Sequence, residues 1–333
     1  MEIGLKEILR KGEKMNQLLA IGEALIDFIA ADRNMGIQDV TGFQPAVGGA
    51  PANVCGAFVK LGGSAALLTQ LGADPFGDKI MAEFARQGIG TDYVLRTDKA
   101  NTALAFVALQ EDGNREFSFY RNPSADMLFA PEDVKKEWFA DAYALHFCSV
   151  SLGEYPMKQA HERAIEYALE QGVLVSFDPN LRKALWKSEE ALKRTVLEFI
   201  PRAHVLKLSD EELFFLTGTD RIEAALPQLF TGNVALVIYT MGAGGARCFT
   251  GAGQAGVPGE QVKAVDTTGA GDGFIGAFLY QLYAHGIHAA DLPGLSEKEL
   301  EAYLRFANRF SAYSVQHKGA ISSYPSRSMM EII

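Results

Sequence analysis

Cysteine is scarce in this 333-residue chain: Cys55, Cys148 and Cys248 are the three, and they stand far apart. Such spacing excludes a disulfide framework and the paired ligands of a structural zinc site, and leaves buried thiols in a reducing compartment. Basic charge is also short. Thirty-one Lys and Arg face 41 Asp and Glu, a net of −10, the wrong sign for a protein that works on phosphate backbones. No apolar run approaches the roughly 18 residues that would span a bilayer. The opening Met1 to Lys14 is charged throughout and lacks the apolar centre and small-residue cleavage site of a secretory signal. Residues 1–17 are therefore read as an extension without an assigned role, and the protein as cytoplasmic, with neither nucleic acid nor membrane as partner. The six histidines show no HExxH spacing, and no GxxxxGK[ST] run exists. His146 and His204, set in apolar runs, read as core. What remains is an ordinary globular composition, 48% hydrophobic and 22% charged. At about 150 residues per domain, the length allows one large domain or two ordinary ones.

Strand-like apolar runs alternate with helical patterns from Leu18 onward. Strands are expected at Leu18 to Ile21, Ala65 to Gln70, Ala144 to Cys148, Leu174 to Phe177, Val205 to Leu208 and Ala235 to Tyr239. Helical periodicity marks Ala52 to Leu61, Asp78 to Gln87, Met157 to Glu170, Glu189 to Ile200 and Asp210 to Leu216. Parallel neighbours need crossovers of helix length, so the alternation predicts a doubly wound α/β fold with a mostly parallel sheet and helices on both faces. One stretch breaks this rhythm. Thr102 to Gln110 and Arg115 to Arg121, joined by Glu111-Asp112-Gly113-Asn114, read as a hairpin. With the extended Phe28 to Val47, they predict a small projecting sheet, placed to act as a lid over the crevice of the main one.

The strongest chemical signal is Asp266-Thr267-Thr268-Gly269-Ala270-Gly271-Asp272-Gly273, running into an apolar helix. Glycines let backbone amides turn inward, and a helix N-terminus adds unpaired N–H groups with partial positive charge. Asp272 in that first turn either complements the helix dipole or acts as a base beside an anion cradle. The second arrangement suits phosphoryl transfer to a hydroxyl. A second glycine turn, Gly48-Gly49-Ala50-Pro51-Ala52-Asn53, opens another helix; Asn53 either caps it or binds ligand hydroxyls. Asp27 ends the first strand segment, where ligand crevices form, and is either a hydroxyl acceptor or a solvated edge residue. Gly251-Ala252-Gly253-Gln254-Ala255-Gly256 matches the dinucleotide pattern GxGxxG. Pro258-Gly259 after it opens no helix, so a hairpin of Arg247 to Phe249 with Gln261 to Val265 is expected instead.

Through these motifs the chain resembles the ribokinase-like (PfkB) carbohydrate kinases from Leu18 to its end. The resemblance rests on Gly48 to Asn53 and on Asp266 to Leu279. It implies an α/β core over 18–333 with lid segments near 28–47 and 100–125, and ATP as phosphoryl donor. Asp272 would be the base, with Gly269, Ala270 and Gly271 lending amides to the anion hole. Sugar contacts would come from Asp27, Gly48, Gly49 and Asn53. The nucleotide would meet Lys207, Ser209, Thr240, Gly242, Gly245 and Asn308, although Thr240 to Gly245 alone reads as a glycine-rich turn and Asn308 as a helix-surface residue. Glu212 would order magnesium through water, with Ser209 standing where the family has Asn. Asp266, Thr268, Ser314, Gly319 and Ser323 would hold a monovalent cation such as potassium. The family also implies a homodimer formed through the lid.

Glu116 to Asp126 and Asp178 to Arg182 resemble fructokinases in particular. Tyr120, Arg121 and Arg182 then become sugar or phosphate contacts; either Arg could instead form a structural ion pair, and for Arg182 the two readings are equal. The expected reaction is phosphorylation of the primary hydroxyl of D-fructose to give fructose 6-phosphate. Kinases of 2-keto-3-deoxygluconate share the Tyr-Arg-x-x-Ser-Ala stretch and are the first alternative. A silent sugar-binding regulator is the alternative from another class, opposed by the presence of Asp272 and the glycines.

Overall fold

A computed structural model describes residues 17–32, 34–109 and 115–332. The expected N-terminal extension and the Glu111-to-Asn114 turn lie outside the described residues, apart from Gln17. Among these residues 13 strands form two sheets. The chain runs β1 (Gln17–Ile21), β2 (Leu25–Ala30), β3 (Phe43–Gly48), α1 (Ala50–Lys60), β4 (Ala65–Gly72), α2 (Pro75–Gln87), β5 (Val94–Thr97), β6 (Ala103–Leu109) and β7 (Arg115–Tyr120). It continues through β8 (Ala142–Cys148), α3 (Pro156–Glu170), β9 (Leu174–Asp178), α4 (Glu189–Phe199), β10 (Val205–Ser209), α5 (Asp210–Thr217) and α6 (Ile222–Leu229). Last come β11 (Leu236–Thr240), β12 (Ala246–Thr250), β13 (Gln254–Val257), α7 (Ala270–Ala284), α8 (Glu297–Ser314) and α9 (Arg327–Met330).

The large sheet has the order β13-β12-β11-β10-β9-β8-β1-β4-β5. Its pairings are parallel from β5 across to β11, and β12 and β13 join antiparallel at one edge. Alternation along each strand divides the core between the two faces. Leu18 and Ala20 of β1 pack with α1, α7 and α8, whereas Leu19 and Ile21 pack on the opposite side with α3 and α4. The helix starts follow local chemistry. Asp74 accepts from the Phe76 and Gly77 amides, so α2 begins at Pro75, three residues ahead of the expected start. Ser209 and Glu212 form a reciprocal capping box on α5, which Gly218 ends in the left-handed region.

The hairpin expected at Gln261 to Val265 is corrected by the fold. β12 turns back at Gly251 to Gly253 and pairs with Gln254 to Val257, inside the glycine motif itself. Strand-forming alternation begins again immediately after that turn, and Pro258 then removes the next ladder donor. The second sheet, β3-β2-β6-β7, projects as expected, with β2 parallel to β6 and its other pairs antiparallel. Phe28, Phe43, Phe106 and Tyr120 lie on its outer face in ring contact, and Phe28 meets Phe76 of α2. Leu25, Asp27, Phe117 and Phe119 lie on the inner face and line a cleft over the main sheet.

Candidate active site

The carboxyl ends of β1, β8, β9 and β10 and the N-terminus of α7 open onto a cleft of about 1040 Å³. Crevices of doubly wound sheets form at such ends because the connections diverge to opposite faces there. Asp272 lies in the first turn of α7 and is only 7% exposed. Asn53 Nδ2 donates to its Oδ2 and Asn180 Nδ2 to its Oδ1, both at 2.9 Å. Burial nevertheless raises its pKa above the ordinary carboxylate value, against Asn53, Arg182, Lys207 and Asn180, which favour the charged form. The outcome is a fixed carboxylate more basic than one in water.

The glycines around it are needed for space. Gly269 has φ +72°, and a Cβ there would meet Ala320 Cβ at 2.6 Å and Tyr324 Oη at 2.7 Å; Tyr324 also donates to the Gly269 carbonyl. A Cβ on Gly271 would press on Lys207 Nζ at 3.2 Å. The Ala270 amide already donates to the Thr267 carbonyl, so an oxyanion would have to compete for it. On the other wall, a side chain at Gly48 would overlap Asp27 Oδ2 at 2.0 Å. Gly49, at φ +119°, brings α1 against the Glu23 carbonyl. Asn53 is buried, and its Oδ1 has no hydrogen-bond partner, while Nδ2 is spent on Asp272. Asn53 thus holds the Asp272 carboxylate and leaves its own Oδ1 unpaired; it is not a helix cap.

Lys207 and Asp178 form a buried pair at 2.7 Å below the α7 terminus. Burial opposes the Lys207 charge, but Asp178, Glu212 and Asp272 outweigh it and hold the ammonium above its ordinary value. The Glu212 carboxylate is engaged twice, accepting from the Ser209 amide at 2.8 Å and the Leu181 amide at 3.0 Å. Arg182 is exposed, lines the cleft and donates to the Leu181 carbonyl; among the described residues it makes no ion pair. Asp266 Oδ1 accepts from the Thr268 amide and hydroxyl, and Oδ2 from the Gly319 amide. Ser314 and Ser323 meet through their hydroxyls at 2.7 Å.

Two expected contacts are placed elsewhere. Tyr120 is 63% exposed on the outer face of the small sheet, because Phe119 takes the inward position of the strand's two-residue period. Arg121 lies just past β7 and does not line the cleft; its guanidinium is buried against the Asp126 carboxylate. Thr240, Gly242, Gly245 and Asn308 also lie off this cleft. Thr240 pairs with Ser209 in register, Gly245 packs against Val257 and Pro258, and Asn308 donates to the Pro258 carbonyl. They form one group beside the cleft's edge. Asn180 and Glu23 went unassigned in the sequence. Asn180 stands two residues after Asp178 at a strand's carboxyl end, a signal that would have found it. Glu23 follows Gly22 directly after β1 in the same way, and is buried with Ser151 donating to it. Among the described residues, no group of three His, Cys, Asp or Glu could hold a metal unaided.

The model of the pfkB carbohydrate kinase family matches residues 15–327. Probable fructokinase-4 of Arabidopsis thaliana is 42% identical over 322 residues, 96% of this chain and 97% of that protein. Fructokinase-1 of Oryza sativa subsp. japonica is 40% identical over 92% of this chain and 94% of its own length. Among solved structures, a fructokinase with bound ATP from Xylella fastidiosa superposes with a TM-score of 0.88 at 36% identity, covering 96% of this chain and 98% of that one. A Vibrio cholerae O395 fructokinase in fructose, ADP and calcium ion bound form gives 0.83 at 32% identity, covering 96% and 98%. With both glycine turns, the buried Asp272 and the crevice in one arrangement, this chain belongs to the pfkB family of carbohydrate kinases.

Proposed function

We propose that the protein is an ATP-dependent fructokinase, moving the γ-phosphoryl group of ATP to the primary hydroxyl of D-fructose. The observation that carries this reading is Asp272, buried at the start of α7 between Asn53 and Asn180 and beside the glycine cradle. Its raised basicity suits removal of an alcohol proton as the hydroxyl attacks. Amides of Gly269 and Gly271, with Ala270's shared, stabilise charge on the transferred oxygens, and Lys207 adds a fixed positive charge beneath them. Asp27 and the spare acceptor of Asn53 hold sugar hydroxyls, and Gly48 and Gly49 let the ligand approach the backbone. The small sheet closes as a lid, its inward Phe117 and Phe119 excluding water that would otherwise accept the phosphoryl group.

Similar solved kinases hold Mg²⁺ with ATP, or calcium with fructose and ADP, and the residues here fit magnesium only through water. Glu212 already binds two amides, and Mg²⁺ commonly keeps several waters beside one carboxylate and the phosphates. Bound there, the ion would neutralise charge on the nucleotide phosphates. The oxygens of Asp266, Thr268, Ser314, Gly319 and Ser323 suit a monovalent cation such as potassium beside the cradle. Thr240, Gly242, Gly245 and Asn308 would take the nucleoside end. The exposed inner-face residues Ile29 and Phe117 support dimerisation through the lid. The buried free thiols fit a cytoplasmic setting.

The test is an ADP-release assay with ATP, magnesium and potassium against fructose, 2-keto-3-deoxygluconate, ribose, tagatose, glucose and adenosine. Fructose should be preferred, and Asp272→Ala should lower turnover at least about a hundredfold. Near-normal turnover in that variant would remove the base from the mechanism.

A further inference from the structure

We propose that Asp178, which does not itself line the cleft, is a positioning residue for phosphoryl transfer. One of its carboxylate oxygens fixes the Lys207 ammonium beside the anion cradle, and the other fixes the turn that carries Asn180 to Asp272. The inference rests on the sugar kinase reading above and adds a group that acts through two others.

β9 ends at Asp178, in register with Cys148 at the carboxyl end of β8. The side chain is 1% exposed, and a carboxylate so buried is unfavourable unless it is paired and hydrogen-bonded. Its Oδ2 accepts from Lys207 Nζ at 2.7 Å, and its Oδ1 from the Asn180 amide at 3.2 Å. The first contact decides where a charge stands. Lys207 comes from β10, and its Nζ lies so near α7 that a Cβ on Gly271 would be 3.2 Å away. A lysine ammonium is a point charge on a flexible stem. Asp178 keeps it from turning to Glu212 or Asp272, both near enough to act on its charge.

The second contact decides where a donor stands. Asn180 has φ +45°, in the left-handed region that Asn tolerates better than most side chains. Three bonds hold the turn there. Asp178 takes the Asn180 amide, Glu212 takes the Leu181 amide, and the Ser149 amide donates to the Pro179 carbonyl. In that conformation Asn180 Nδ2 reaches Asp272 Oδ1 at 2.9 Å. Asn53, the other amide on Asp272, comes from α1 and has no part in this turn. Asp178 therefore supports the base and the cradle, and leaves the sugar wall of Asp27, Gly49 and Asn53 alone.

The experiment measures kcat and KM, with ATP and magnesium, for D-fructose or for whichever panel sugar is turned over best. It compares the unaltered enzyme, Asp178→Asn, Lys207→Met and the double variant. Asn keeps an acceptor for the Asn180 amide and removes only the charge that fixes Lys207. Lys207→Met should lower kcat about 100-fold, the scale of a lost transition-state contact. Asp178→Asn should lower kcat about tenfold or more, through a displaced ammonium, and leave KM within about twofold. The double variant should be no slower than Lys207→Met alone, because residues that act as a unit are not additive. It strands no buried charge, so it decides the matter even if Asp178→Asn fails to fold.

Asp178→Ala in the Lys207→Met background also releases the turn. Its acid limb of kcat/KM should lie at higher pH than that of the Asn double variant, since the Asn180 amide no longer favours the charged Asp272. A normal kcat in Asp178→Asn, a raised KM with kcat unchanged, or a double variant tenfold slower than Lys207→Met would overturn the Lys207 half. Coincident acid limbs would overturn the Asn180 half. Preference for another panel sugar would overturn the fructose reading alone, and no turnover of any of them would overturn both.

Discussion

Asp272 is held in place by two amides that the sequence keeps 219 and 92 positions away from it. Each Asn amide stabilises the charged carboxylate, and burial opposes that charge more strongly. The sign of a pH effect follows. A base with a raised folded value is protonated, and idle, up to a higher pH than an ordinary carboxylate. The acid limb of kcat/KM should therefore lie above pH 4, the ordinary carboxylate value. Removing the amide in Asn180→Ala should move that limb to still higher pH and lower kcat; a pH–rate profile of both enzymes checks it. An unmoved limb would show that Asn180 acts only by packing.

At the scale of elements, the position of Asp272 depends on how closely α7 approaches α1. Gly276 faces Val54 and Ala57, and a Cβ there would meet Ala57 Cβ at 2.7 Å and the Val54 carbonyl at 2.9 Å. Neither neighbour is a flexible side chain. Helix propensity alone favours Gly→Ala by about 1 kcal/mol. Overpacking against a close-packed neighbour costs about 1–3 kcal/mol and should win. Gly276→Ala is expected to lower the melting temperature in a thermal unfolding scan and to weaken activity by shifting α7. An unchanged or higher melting temperature would show that the helices separate at little cost. The elements also explain what the sequence left unread. Helix starts at Pro75 and Pro156 escaped the apolar periodicity because Pro, with the Asp74 cap in the first case, and not an apolar face, begins them. The inward side of β7 escaped because aromatic residues occupy both faces of that strand, so alternation carried no direction.

At the scale of the whole molecule, burial of His146 and His161 links acid to stability. Burial holds the two imidazoles down at about 3 and about 4. As a neutral ring His146 pairs with Ser176, and His161 can donate to one of the Met157 and Ile21 carbonyls that face its two nitrogens; burial outweighs what those carbonyls offer the charged form. Because their folded values are depressed, they contribute stability above the unfolded value of about 6.5, and that stability is lost as pH falls toward 4 and 3. At pH 5 the loss should be about 2 kcal/mol for each histidine. Denaturant titrations at pH 7 and pH 5 should show it, and His161→Asn should reduce the difference. Equal midpoints at the two values would mean that both rings take up protons in the folded state.

The alternation of apolar strands with helical periods determined the parallel sheet, since parallel neighbours need a long crossover and a helix is its usual form. The two glycine turns marked two helix starts with inward-turning amides, because glycine there admits backbone angles that other residues avoid. These are local properties, carried by spacing and residue type within about a dozen positions. Tertiary structure alone decided that Asn53 and Asn180 converge on Asp272, that Tyr120 turns outward, and that Asp126 removes Arg121 from the cleft. Hydrogen bonds and ion pairs act over about 3 Å, and only the packing of the sheet and its helices brings such distant side chains within that reach.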